Sequence, residues 1–167
     1  MALTKIIGSG IGTVTNQFAD GNMAAGSIVQ IVQSSSTTLF NTTSSSFANV
    51  FTGQITPTSS SNKILIVGQM AGFSNNGGGA TAEARLNRNL SGDTVVGKYN
   101  RVAHIAGGTF LGVSLGFTEL DSPSTTSQIT YEFQVRTANG TDSVRVNDYH
   151  TGTADTRSTI TMFEVVA

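Results

Sequence analysis

SQITYEFQVRT, residues 127–137, sets Ile129, Tyr131, Phe133 and Val135 at every second position, with Thr130, Glu132, Gln134 and Arg136 between them. Strand side chains alternate between two faces, whereas a helix would scatter these four around its axis. The stretch reads as a strand with one face for a core and one for solvent. The same period returns on either side of it. In TFLGVSLGFT, residues 109–118, Leu111, Val113, Leu115 and Phe117 alternate with Gly112, Ser114 and Gly116. The small size of those three points to close approach of a neighbouring strand, ligand or subunit. In RSTITMFEVV, residues 157–166, Ile160 and Met162 oppose Thr159, Thr161 and Phe163. Phe163 and Val165 share a face, so this strand has two apolar sides and belongs at the centre of a sheet or against another subunit.

Toward the amino terminus, QITPTSSSNKILIVGQM (54–70) joins a hydroxyl-rich stretch to an uncharged apolar run. Pro57 fixes φ and cannot donate to a ladder, and Ser59, Ser60 and Ser61 can satisfy turn backbone, so the first part is a turn feeding a buried strand that carries Ile64 and Ile66 inward. ATAEARLNRNL (80–90) contains good helix formers, yet Ala80, Ala82, Ala84 and Leu86 alternate with Thr81, Glu83, Arg85 and Asn87, which predicts a strand. Turn-forming clusters at 91–93, 106–108, 121–127, 138–142 and 150–156 punctuate the runs. Asn139-Gly140 suits a type I′ turn and predicts a hairpin over residues 129–148. About eight to ten strands are expected, near 28–33, 38–42, 47–55, 63–71, 80–89, 94–100, 109–118, 128–137, 142–148 and 157–166, in an all-β antiparallel β-sandwich.

Composition agrees. The chain has 167 residues, 19 serines, 24 threonines and no cysteine, and only 11% of it is charged, against about 25% in an ordinary soluble domain. Before Glu83 the charged residues are Lys5, Asp20 and Lys63. A half-chain with so little charge is expected to face other subunits, which predicts a homo-oligomer. The net charge of −1 supplies no field for nucleic acid or anionic lipid, and no apolar run approaches the roughly 20 residues of a membrane span. MALTKIIGSG lacks a secretory pattern, so synthesis in the cytoplasm without processing is expected. Residues 1–26 form an extended arm whose apolar residues, Leu3, Ile6, Ile7, Ile11, Val14 and Phe18, lie too far apart among glycines to fold alone; residues 27–167 form the sandwich. Such an arm gains order by lying along a neighbour.

Signals of chemistry are sparse. GSGIGT (8–13) misplaces its glycines for a dinucleotide loop, and no cofactor is expected. His104 has no nearby carboxylate in sequence and reads as a strand-edge or core histidine rather than a general base. Asp142, Asp148, His150 and Asp155 are the one group able to offer metal ligands, but the spacing fits no calcium or zinc pattern and an aspartate-rich turn is the expectation. No constellation of acid, base and nucleophile is present, so the chain is not expected to be an enzyme. Tyr99 and Tyr149 are the candidate exposed rings for loop contacts.

GSIVQIVQSSSTT, FANVFTGQ, ITPTSSSNKILIVGQM, RLNRN, SPSTTSQITYEFQVRT and STITMFEV, spread over residues 26–167, together resemble a recurring β-rich domain in virion proteins of tailed bacteriophages, marine and cyanobacterial phages in particular. The resemblance implies a jelly-roll sandwich that assembles as a homotrimer on a virion. It would be either a capsid decoration (cement) protein bound to capsid subunits or the receptor-binding tip of a tail fibre, with no catalytic motif. MALTK is similar to the start of many phage fibre and spike proteins, where that segment docks onto the particle. On this reading Gly112, Ser114, Gly116, Phe163 and Val165 belong to the oligomer interface.

Overall fold

A computed structural model describes residues 23–76, 81–104, 111–138, 143–148 and 156–167. The described residues form ten strands: β1 (Ile28–Ser36), β2 (Phe40–Thr42), β3 (Ala48–Ile55), β4 (Lys63–Asn76), β5 (Thr81–Asn89), β6 (Asp93–His104), β7 (Leu111–Asp121), β8 (Ile129–Thr137), β9 (Ser143–Val146) and β10 (Ser158–Val165). All pair antiparallel. One sheet runs β1-β10-β4-β7, and the other β3-β8-β5-β6. Successive strands pass from sheet to sheet at every connection of this eight-strand core except the β5–β6 hairpin. That order is a jelly roll. The short strands β2 and β9 extend the first sheet, because β4 pairs with β10 over residues 63–69 and with β9 over 74–76.

Ile64, Ile66, Ile129, Tyr131, Phe133, Val135, Ile160 and Met162 are fully buried between the sheets, and Val113 and Leu115 pack against them. Phe133 lies at the centre, with Phe117 4.7 Å away and the rings of Phe51 and Tyr99 stacked at 6.0 and 6.2 Å. Gly68 makes room for Phe117: a Cβ there would lie 2.2 Å from Phe117 Cζ and 2.6 Å from the carbonyl oxygen of Thr159.

The Asn139-Gly140 hairpin does not form. β8 lies between β3 and β5 in one sheet, while β9 lies between β2 and β4 in the other. Both flanks of each strand are taken, so β8 and β9 belong to different sheets and do not pair with each other. Where β9 takes over from β10 along β4, the gap is closed by side chains. Asn147, at φ 59°, donates its backbone N–H to Ala71 O and its amide to Thr38 O, and accepts from the hydroxyl of Ser158 at 2.7 Å. The αL conformation is one that asparagine tolerates.

Candidate interaction surface

The turn before β4 is fixed by a buried carboxylate. Glu164 of β10 points into the sandwich and accepts from Thr58 N–H (2.7 Å), Thr58 hydroxyl (2.8 Å), Asn62 Nδ2 (2.8 Å) and Gln30 Nε2 (2.5 Å). Burial works to raise its pKa, but the hydrogen bonds from Asn62, Gln30 and Thr58 outweigh it and hold the carboxyl below its ordinary range. The serines contribute locally, with Ser61 N–H donating to the Ser59 hydroxyl and the two hydroxyls 3.0 Å apart. The chain enters β1 at this same end, where Gly26 N–H donates to Val166 O and Val166 N–H to Ser27 O.

Other ionisable groups are also paired. Arg88 donates both ways to Asp121 at 2.8 and 2.9 Å, and Tyr131 donates to the same carboxylate at 2.8 Å. Burial, then the Asp121 charge, raises the Tyr131 pKa, so its phenol stays protonated and donating. Tyr99 does not sit on a loop: it lies within β6, half-buried, stacked on Phe133, and donates to Glu119 at 2.7 Å. Burial and Glu119 raise its pKa likewise. Asp148 is buried and bonded to Arg145 at 3.0 Å. Asp142, Tyr149, His150 and Asp155 lie outside the described residues, as do Leu3, Ile6, Ile7, Ile11, Val14 and Phe18 of the arm. Among the described residues no group of three or more His, Asp or Glu is placed to hold a metal.

The two outer faces of the sandwich differ in kind. On the β3-β8-β5-β6 sheet the polar side chains lie across one another. Gln134 receives Arg85 Nε at 2.6 Å and donates to Glu132 at 2.8 Å, Asn87 and Asn89 both donate to Glu132 at 3.2 Å, and Arg136 pairs with Glu83 at 2.6 Å. Arg85 and Arg136 also sit 4.3 and 4.6 Å from the Phe47 ring centroid. Glu132 and Gln134, expected in solvent, are thereby buried under their neighbours.

The β1-β10-β4-β7 sheet turns out a different surface. Register aligns Ile31 with Phe163, Phe163 with Leu65, and Leu65 with Leu120, an apolar band across all four strands. Ile28 and Val165 pair beside it, and Val67 lies in the next row between Thr161 and Thr118. Within the described outward positions of these four strands Lys63 is the one charged residue; Arg157 lies exposed just before β10, and Arg145 is on the outer side of β9 at the far end of the sheet. Phe163 and Val165 are half-buried there, while Gly112, Ser114 and Gly116 are exposed on β7 of the same face. Among the described residues Gly116 meets no close neighbour, since a Cβ built on it finds nothing within 4 Å. Ile31, Leu65 and Leu120 were not singled out by sequence reasoning. Their only signal is alternation opposite the core positions, as Leu65 and Val67 alternate with Ile64 and Ile66.

No protein-family model matches the chain, and no curated protein matches it in sequence. Among solved structures it is similar to the infectious bursal disease virus VP2 subviral particle, with TM-score 0.44 and 15% identity over 83% of this chain and 37% of that one. It is also similar to the structure of the Gt strain of the same virus (TM-score 0.43, 13% identity, 84% of this chain and 38% of that one) and to its T13 viral particle (0.43, 12%, 83% and 36%). The chain thus spans little more than a third of those chains.

Proposed function

We propose that this is a virion structural protein of a tailed bacteriophage, a homotrimeric capsid decoration protein held to the particle by the arm, residues 1–26. The observation that carries the reading is the contrast between the outer faces. One sheet satisfies its charged and amide groups among themselves, and the other presents an almost uncharged face crossed by an apolar band. A jelly roll alone does not decide function, but a face of this kind is what an assembled protein covers. The arm joins the body at Gly26 and Ser27, beside the carboxyl end and the 56–62 turn, so an arm bound to a capsid subunit would leave the opposite end pointing outward.

Deletion of residues 2–24 is expected to leave a folded oligomer that no longer binds particles, measured by co-sedimentation with virions that lack the protein. Wild-type occupancy by the truncated protein would shift the anchoring role to the sandwich. Counting copies per purified virion provides a second check. Hundreds are expected for a capsid decoration protein, whereas a few to a few dozen would assign it to a tail, as a receptor-binding tip.

A further inference from the structure

The apolar band of the β1-β10-β4-β7 sheet is most open at its two ends. Ile31, on β1, is 59% exposed and Leu120, on β7, is 57% exposed, while Phe163 and Leu65 between them are partly covered by their own neighbours. β1 and β7 are the two edges of the four-strand sheet, each paired on one flank only among the described strands. A second copy stacked face to face would bury chiefly the middle of the band, where least apolar surface is free. A copy placed edge to edge would bury the ends. The ends lie on different strands, so such a contact is heterologous, with one patch meeting a different patch on the next copy, and it closes into a ring if the rotation allows.

We propose that copies of this chain meet through this band around a three-fold axis, the Ile31 edge of one copy against the Leu120 edge of the next. The proposal rests on the reading of the protein as self-assembling, and supplies the surface and the neighbour. Dimensions favour three. Strands about 4.8 Å apart make a four-strand band about 14 Å wide, and side chains reach about 5 Å from a sheet, half the usual spacing of packed sheets. With one strand spacing left between neighbouring edges, three such bands enclose an axis about 5.5 Å from each sheet, which the side chains all but fill, whereas four would stand about 10 Å away and leave a hollow, by the same dimensions. The band brings little like charge together, since Lys63 is the one charged residue on the described outward positions of its four strands. Gly112, Ser114 and Gly116, exposed beside Leu120 on β7, let the neighbour's β1 edge come close, and the space over Gly116 is empty within its own chain.

The chain has no cysteine, so cross-links report only on residues introduced. Ile31→Cys combined with Leu120→Cys in the full chain is expected to give covalent trimers on oxidation, seen on a non-reducing gel, while either substitution alone stays monomeric there. Gly116→Leu is expected to keep the wild-type circular dichroism spectrum, yet to lower the sedimenting mass from three chains to one. Dimers formed by a single-cysteine variant would mean a two-fold contact and overturn the proposal. So would a ladder that passes three, a wild-type chain that sediments as a monomer at micromolar concentration, or a Gly116→Leu variant that remains trimeric. Trimers that fail to bind virions would defeat the virion reading and leave this interface standing; a monomer that binds them would do the reverse.

Discussion

Gly68→Ala is expected to cost more than 3 kcal/mol of stability, read as a shift of the urea midpoint, the range of severe packing and strain defects. The added Cβ would lie 2.2 Å from Phe117 Cζ and 2.6 Å from Thr159 O. A looser core would let the ring rotate, but here it is packed against Phe133 at 4.7 Å. The carbonyl belongs to β10 next to the Ile160–Gly68 pair, so moving it opens the ladder between the two central strands of the sheet. Gly116→Ala is the comparison one strand away: its Cβ meets nothing within 4 Å in a single copy, so its effect on the fold is expected within about 0.5 kcal/mol, and a larger shift would report the contact between copies. Gly53 should fall between them, because its Cβ would meet Ile160 Cγ2 and Met162 Cε, both at 2.9 Å, and these are side-chain ends able to shift. Equal midpoints for Gly68→Ala and wild type would show that β4 and β10 separate without cost.

Glu164→Ala is expected to lose about 3 kcal/mol or more at neutral pH, since a hydrogen bond to a charged group contributes about 1.5–3 kcal/mol and several end on this carboxylate. The donors that lose it are Thr58 N–H and hydroxyl, Ser59 N–H and Asn62 Nδ2, while Gln30 retains Thr56 O at 2.7 Å and Asn62 Nδ2 the Thr58 hydroxyl at 3.5 Å. A pH dependence follows from the same site. The folded carboxyl has a pKa below its ordinary value of 4.5, so the unfolded chain binds the proton more readily. The stabilisation is therefore complete above that value, and is lost as pH falls below it and through the folded pKa. Urea midpoints compared at pH 7 and at pH 3 should fall in the wild type, and fall less in Glu164→Gln, which is weaker at pH 7 but cannot titrate. Parallel curves for the two proteins would assign the acid response to other carboxylates.

The alternation in SQITYEFQVRT and STITMFEVV was enough to find the core strands and which side of each turns inward, because burial between two sheets imposes a period of two on every strand alike. Partner choice was another matter. Asn139-Gly140 is a strong local turn signal, but β8 and β9 are each flanked by other strands, and a local preference cannot report which edges are already occupied. Tyr99 falls within the strand expected over 94–100, but its sequence neighbours do not tell that its ring stacks on Phe133 and its hydroxyl reaches Glu119, partners that come from distant strands. The band of Ile31, Phe163, Leu65 and Leu120 could be seen only in part. Phe163 stood out within its own strand, but the row exists only once four distant segments are set in register. Glu164 was invisible for the same reason: its donors come from residues 30, 58 and 62, and nothing near position 164 announces them.

The antiparallel ladder between β1 and β10 also bears on mechanics. Its hydrogen bonds run perpendicular to the strands, and it is registered from Ile28–Val165 to Ser36–Ser158. Tension drawn between residue 27 and the far end of the sandwich would run along β1 and load those bonds together, in shear. Tension drawn between residue 27 and Val166, which are bonded to each other, would open them one pair at a time, like a zip. The same protein would therefore resist a pull toward its opposite end far better than a pull between its two termini.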